Sequence, residues 1–98
     1  LIILKHEINH LLTANAYSQL HTGIITKDVE VALQTFKEKL RTNTRTFDDV
    51  IRLLGRYNRI QQTFQKGLIS FPSAHREFIK IENAIIYIVN NIREAELK

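Results

Sequence analysis

The sequence predicts an all-α domain: a small bundle of helices that ends in a long antiparallel hairpin. Three observations carry that prediction. Helix breakers are scarce, with only Gly23, Gly55, Gly67 and Pro72 in 98 residues. Long helices need that scarcity, because an interior Gly costs about 1 kcal/mol and a Pro about 3. Apolar residues recur at three- and four-residue spacing in the long segments, whereas no run alternates apolar and polar for long enough to make a strand. Finally, Thr, Ser and Gly stand where helices would start and stop.

Taken in chain order, residues 2–14 place Leu4, Ile8, Leu11 and Leu12 on one helical face, and a short separate turn is expected at 16–20 before Gly23. Thr26 then caps a helix over 27–41. Asp28 and Glu30 lie in its first turn, where the helix dipole favours acids, and Val29, Ala32, Leu33, Phe36 and Leu40 form its buried stripe. The polar run 42–45 is a loop, and Thr46 caps a helix over 47–66 with Asp48 and Asp49 just inside. Val50, Leu53, Leu54, Tyr57, Ile60 and Phe64 gather on one side of that helix, and Gly67 stops it. After the turn 68–72, Ser70 or Ser73 caps the last helix, expected over 73–96, and Pro72 suits its start. Ala74, Phe78, Ile81, Ile85, Ile88 and Ile92 make its stripe, widened by Ile79, Ile86 and Val89. So broad an arc belongs to a helix with two neighbours, or with one neighbour and a partner protein. The short turn between the last two helices makes them an antiparallel hairpin.

Length and composition bound the rest. A chain of this size buries roughly 65% of the surface its unfolded form exposes, enough for a core without a metal or disulfide. There is no Cys, which excludes disulfides, cysteine zinc sites and thiol nucleophiles together. The lack of any Met, with Leu at position 1, leads to the expectation that residues 1–98 are a single domain excised from a longer multidomain protein. The opening run Leu1 to Leu4 is too short for a signal-peptide core or a membrane span. The charge of +4 is spread along the chain: six Lys/Arg against four acids in 1–46, four against two in 47–70, four against four in 71–98. A nucleic-acid or membrane binder of this size often has a denser cluster.

Three features invite a functional reading. His6-Glu7-Ile8-Asn9-His10 fits the H-E-x-x-H pattern, in which two His one helical turn apart share a zinc and the Glu acts as general base. The third ligand would be Glu30, twenty residues after His10. Only five residues precede His6, too few for the sheet that shapes a peptidase cleft, and Lys5 breaks the apolar run before the motif. His6, Glu7, Asn9 and His10 instead read as the solvated face of an amphipathic helix, opposite Leu4, Ile8 and Leu11, and no metal or other cofactor is expected. Second, Arg52, Arg56, Arg59 and Lys66 fall within an arc of roughly 80° opposite the apolar side of their helix. This stripe could grip phosphates or an acidic protein surface, or be simply solvated. Tyr57 falls on the apolar side, so no aromatic of that helix is interleaved to stack bases. Third, Gly55 inside a helix suggests close approach of another backbone, or simple tolerance. Ser18, Ser70, Ser73 and the four His suggest no catalytic triad, and no Gly-rich loop could cradle a nucleotide.

At Leu53-Leu54-Gly55-Arg56-Tyr57-Asn58-Arg59-Ile60, followed by Gly67-Leu68-Ile69-Ser70 and the amphipathic run from Arg76-Glu77 to Ile88, the chain resembles the bacterial effector-associated domains of the eleventh type. The resemblance covers roughly residues 24–92, and its motif residues are Gly55, Arg56, Tyr57, Asn58, Gly67, Ile69 and Ser70. It implies a death-fold-like or CARD-like adaptor in the bacterial cytoplasm. Such an adaptor pairs with a matching domain on another protein, or with copies of itself, and couples a sensor to a protease, TIR or NTPase effector in antiphage signalling. It also implies pairing of a basic face, here Arg52, Arg56 and Arg59, with an acidic one, for which Asp48, Asp49, Glu77 and Glu82 are the candidates. No enzyme activity is expected. The alternatives of a different class are a zinc metallopeptidase fragment and a nucleic-acid-binding helical domain.

Overall fold

A computed structural model of the chain describes the backbone of residues 2–22 and 28–98 and the side chains of residues 3–13 and 29–98. Its helices are α1 (Ile2–Thr22), α2 (Asp28–Lys39), α3 (Arg45–Gln65) and α4 (Phe71–Asn91), followed by a 3-10 turn at Glu94–Glu96. Each helix packs on the next in the chain, and α4 closes the ring against α1. Along α3 and α4 the partners run in opposite senses, Tyr57 meeting Phe78 and, further along α3, Phe64 meeting Phe71. The expected antiparallel hairpin is therefore present, within an all-helical bundle of short connections. The arrangement does not show the death-fold likeness.

The apolar stripes converge as their spacing requires. Val29, Ala32, Leu33, Phe36 and Leu40 are wholly buried, as are Val50, Tyr57, Ala74, Phe78, Ile81 and Ile85, and Leu4, Ile8, Leu12, Leu53, Leu54, Val89 and Ile92 join them. Fully burying one such side chain contributes about 1.5–3 kcal/mol, so helix formation here follows mainly from the faces that meet in the core. Val89, expected with Ile79 and Ile86 on an apolar flank, belongs to this core instead; Ile79 and Ile86 remain exposed. Helix α4 has two neighbours, which is why its apolar arc is so wide: α3 lies on one flank and α1 on the other.

Several boundaries differ from expectation. The separate turn at 16–20 is part of α1, because nothing between Ala14 and Thr22 breaks a helix and Ala, Gln and Leu favour one. The expected cap at Thr26 and stop at Gly23 lie outside the described residues. Helix α3 is capped by Thr44, not Thr46. The Thr44 hydroxyl accepts from the Phe47 amide at 3.2 Å and donates to the Arg41 carbonyl at 2.8 Å, so one side chain holds both the turn and the helix start. At the other end Gly67 takes φ +73. The amides of Gly67 and Leu68 reach back to the carbonyls of Phe64 and Thr63, the Schellman arrangement that a left-handed residue permits. Ser70 caps α4, its hydroxyl accepting from the Ser73 amide at 3.3 Å, with Pro72 in the first turn.

Helix α4 stops at Asn91, not at 96, and Ile92 turns extended. The chain then folds back as a strap on the α2–α3 turn. Leu97 bridges Leu40 in antiparallel register, Arg41 N donates to Glu96 O at 2.8 Å, and Lys98 N donates to Lys39 O at 2.9 Å. Thr46, released from capping, donates to Glu96 Oε2 at 3.0 Å, and the Arg41 guanidinium donates to the Leu97 carbonyl. Ile92 and Leu97 explain the break. A continued helix would carry Leu97 away from Leu40, whereas the strap lets both apolar residues reach the bundle.

Candidate protein-interaction surface

Helices α3 and α4 present a groove of about 370 Å³ to the outside. Leu53, Ala84 and Ile88 floor it, Asp49, Arg52 and Arg56 rim it from α3, and Tyr87 rims it from α4. The lining follows from helical geometry: Asp49, Arg52 and Arg56 recur at three and four residues on one edge of α3. Ala84 and Ile88 recur in the same way on the α3-facing flank of α4. Tyr87 is 70% exposed, a large aromatic that the core does not use. The aromatic that the α3 sequence alone does not supply beside the basic stripe thus comes from its neighbour. Setting the face of α4 that holds Glu77, Ala84 and Ile88 against the α3 stripe would have found it.

The family-motif residues divide into two groups. Tyr57 is wholly buried with its ring 5.1 Å from Phe78, Ile69 packs against the core, Gly67 closes α3 and Ser70 opens α4. These four explain themselves as fold. Gly55, Arg56 and Asn58 are exposed. Among the described residues a Cβ added at Gly55 would meet nothing within 4 Å, so close approach of another described backbone does not account for the glycine. By helical position Gly55 lies in the same outward arc as Arg52, Arg59 and Lys66, a flat place in a basic stripe. Asn58 faces the other way, into a polar groove shared with Glu30 of α2 and Gln61, Gln62 and Gln65.

Of the basic stripe, Arg52, Arg59 and Lys66 are exposed and make no ion pair among the described residues. Arg56 differs: its guanidinium lies 3.3 Å from Glu77 Oε2, and Lys80 lies 3.2 Å from Glu77 Oε1. Hydrogen bonds from Lys80 first and Arg56 second hold the Glu77 carboxyl below its ordinary range. One candidate basic residue and one candidate acid are thus already partners within the molecule. The other acids are dispersed. Asp49 rims the groove, Asp48 is exposed at the start of α3, and Glu82 lines a different groove, between α1 and α4, with Asn9, Leu12, Thr13 and Ile86. Glu77 and Glu82 are separated by roughly 140° around α4, so they belong to different faces.

The H-E-x-x-H residues lie on the outside of α1, where His6, Glu7 and His10 are exposed and Ile8 points into the core. Glu30 does not come to them, since it lines the α2–α3 groove. Among the described residues no group of three or more His, Cys, Asp or Glu could hold a metal ion. The side chains of Ser18 and His21 lie outside the described residues. No described helix is long and apolar enough to cross a membrane.

No curated protein and no solved structure matches the chain. A family model, effector-associated domain 11, matches residues 4–93. The match runs from the first turn of α1 through the end of α4, and membership carries an adaptor-like role. Over nearly its whole length, then, the chain belongs to the effector-associated domain 11 family.

Proposed function

We propose that this domain is a cytoplasmic bacterial adaptor that pairs with a like domain on another protein, or with further copies of itself, and so brings a sensor and an effector together in antiphage signalling. The effector is a protease, TIR or NTPase unit, in the same longer polypeptide or in the partner's. The observation that supports this reading best is the division of the motif. Tyr57, Gly67, Ile69 and Ser70 account for the fold, whereas Gly55 and Arg56 sit on an outward basic stripe that the core does not require. Arg suits such a face because its planar fork grips a carboxylate in two places.

The test is charge reversal. Like charges opposed across an interface cost several kcal/mol, whereas a single rim pair is worth under about 1. Arg52→Glu and Arg59→Glu are the cleaner variants, because Arg56 is tied to Glu77 within the fold. Calorimetric binding to the matching domain should be lost by both while circular dichroism stays helical, and a Glu→Arg change on the partner should restore part of it. Full-strength binding by the folded variants would reduce the stripe to a solvated face.

A further inference from the structure

We infer that the α3–α4 groove is the seat for one amphipathic, acidic helix of a partner protein, with Tyr87 as its aromatic anchor. The inference rests on the adaptor reading and names what part of the partner is gripped. The groove has the chemistry of a helix receptor: an apolar floor of Leu53, Ala84 and Ile88 between polar rims. Its α3 rim from Asp49 to Arg56 spans eight residues, about 10 Å or two helical turns, which suits a helix presenting apolar side chains at i, i+3 or i+4, and i+7. Charge fixes the class of occupant. Arg52 is exposed without an ion pair among the described residues, Arg56 is shared with Glu77, and Arg59 continues the stripe beyond the groove. A carboxylate on the incoming helix can take Arg56 from Glu77 without stranding Glu77, which keeps Lys80 at 3.2 Å. Asp49 at one end of the rim asks for a Lys, Arg or amide donor at the matching end of the ligand, so orientation is specified as well. A nucleic acid fits less well, since its phosphates would meet Asp49 and Glu77 and its bases would find one aromatic in place of a series.

The experiment is selection of a random library of peptides about 16 residues long, displayed and panned against the 98-residue chain, followed by fluorescence polarisation of the enriched peptides. The expected winners are acidic, with apolar residues at the helical spacing. Tyr87→Ala and Arg52→Glu should weaken them at least about tenfold, and Ile79→Ala on the far side of α4 should leave them unchanged. Both weakening substitutions are at exposed positions, so folding is preserved. Ala84→Trp, which fills the floor, is the confirming variant. Winners without acidic bias, or binding indifferent to Tyr87→Ala and Arg52→Glu, would overturn the inference. So would a single-stranded oligonucleotide that binds through Tyr87 while no peptide does, or sedimentation showing a second copy of the chain in the groove. The two readings fail separately. If the matching domain is lost on Arg59→Glu but kept on Tyr87→Ala, pairing stands and the groove falls. If acidic peptides need Tyr87 while the matching domain is indifferent to every Arg reversal, the groove stands and pairing through the stripe falls.

Discussion

Helix α1 and helix α3 have the same length, 21 residues, but the motifs they carry stand differently to the fold. On α3 Val50, Leu53, Leu54 and Tyr57 are buried while Arg52, Arg56 and Arg59 are outside, with Ile51 an apolar residue left exposed. On the described part of α1 Leu4, Ile8 and Leu12 are buried on one face, and Leu11 packs against them. Ile8 is wholly buried, whereas Ile3 is 82% exposed. The conspicuous H-E-x-x-H pattern has only Ile8 in the core and otherwise lies on the surface, whereas the quiet Gly-Arg-Tyr-Asn run joins a buried Tyr57 to an Arg56 that rims the groove. A short chemical motif says little until the helix that carries it has a defined inside and outside.

The largest effect that tests this contrast compares two isoleucines. Ile85→Ala should destabilise the domain by about 2–5 kcal/mol, because Ile85 is wholly buried where α4 meets the core. For a domain of about 100 residues each kcal/mol moves the melting temperature by about 4–8 °C. The same substitution at Ile3 should change stability by under about 0.5 kcal/mol, as surface positions do. Equal melts for the two variants would mean that the faces of α1 and α4 are misassigned.

The strap ties the end of the chain to the α2–α3 turn and gives the next effect. Thr46→Ala removes the donor to Glu96 Oε2 and should cost about 1 kcal/mol in denaturant unfolding. Amide exchange at Arg41 should quicken, because its N–H is held by the Glu96 carbonyl. Unchanged exchange at Arg41 would show that the strap is held without Thr46.

The helix stripes were legible in the sequence because burial and a 3.6-residue period decide them together; Val29, Ala32, Leu33, Phe36 and Leu40 all proved buried. The stop at Gly67 and the cap at Ser70 were legible because their chemistry is local. The strap was not. A helix over 73–96 satisfies every local preference, and only the distant pairing of Leu97 with Leu40 makes the break at Asn91 favourable. The shift of the α3 cap from Thr46 to Thr44 has the same origin, since Thr46 has a partner fifty residues away. Of the candidate surface, the Arg stripe could be drawn from one helix alone. Tyr87 and the groove could not, because they exist only where two helices lie side by side.

Two glycines extend the comparison with opposite signs. Gly55 lies in the interior of α3 with nothing among the described residues within reach of an added Cβ, so Gly55→Ala should stabilise the domain by about 0.5–1 kcal/mol through helix propensity and reduced unfolded-state freedom. Gly67 takes φ +73, and Gly67→Ala should cost about 1–2 kcal/mol, because a Cβ is strained there. Thermal melts of the two variants should move in opposite directions. A Gly55→Ala protein that melts lower would reveal a constraint at Gly55 beyond the open surface seen around it.

The smallest effect concerns the ion cluster at the edge of the groove. The Glu77 carboxyl lies below its usual value of 4.5 in the folded state, chiefly through the Lys80 hydrogen bond and then through Arg56. In the unfolded chain neither partner is held beside it. A depressed folded value means that the charged carboxylate favours folding. That contribution is present above pH about 4.5 and is lost as pH falls through the lower folded value. Stability of the wild type should therefore exceed that of Glu77→Gln at neutral pH, by a small margin since the cluster is exposed, and the two should converge in acid. Added salt should shrink the margin. The order of causes is testable by carboxyl NMR titration: Lys80→Ala should raise the Glu77 pKa more than Arg56→Ala does. That order matters for the groove. If Lys80 holds Glu77 the more strongly, Arg56 can turn to an incoming carboxylate while Glu77 stays charged and paired. A larger shift on Arg56→Ala would mean that Arg56 is committed to its own fold, leaving Arg52 as the groove's available cation.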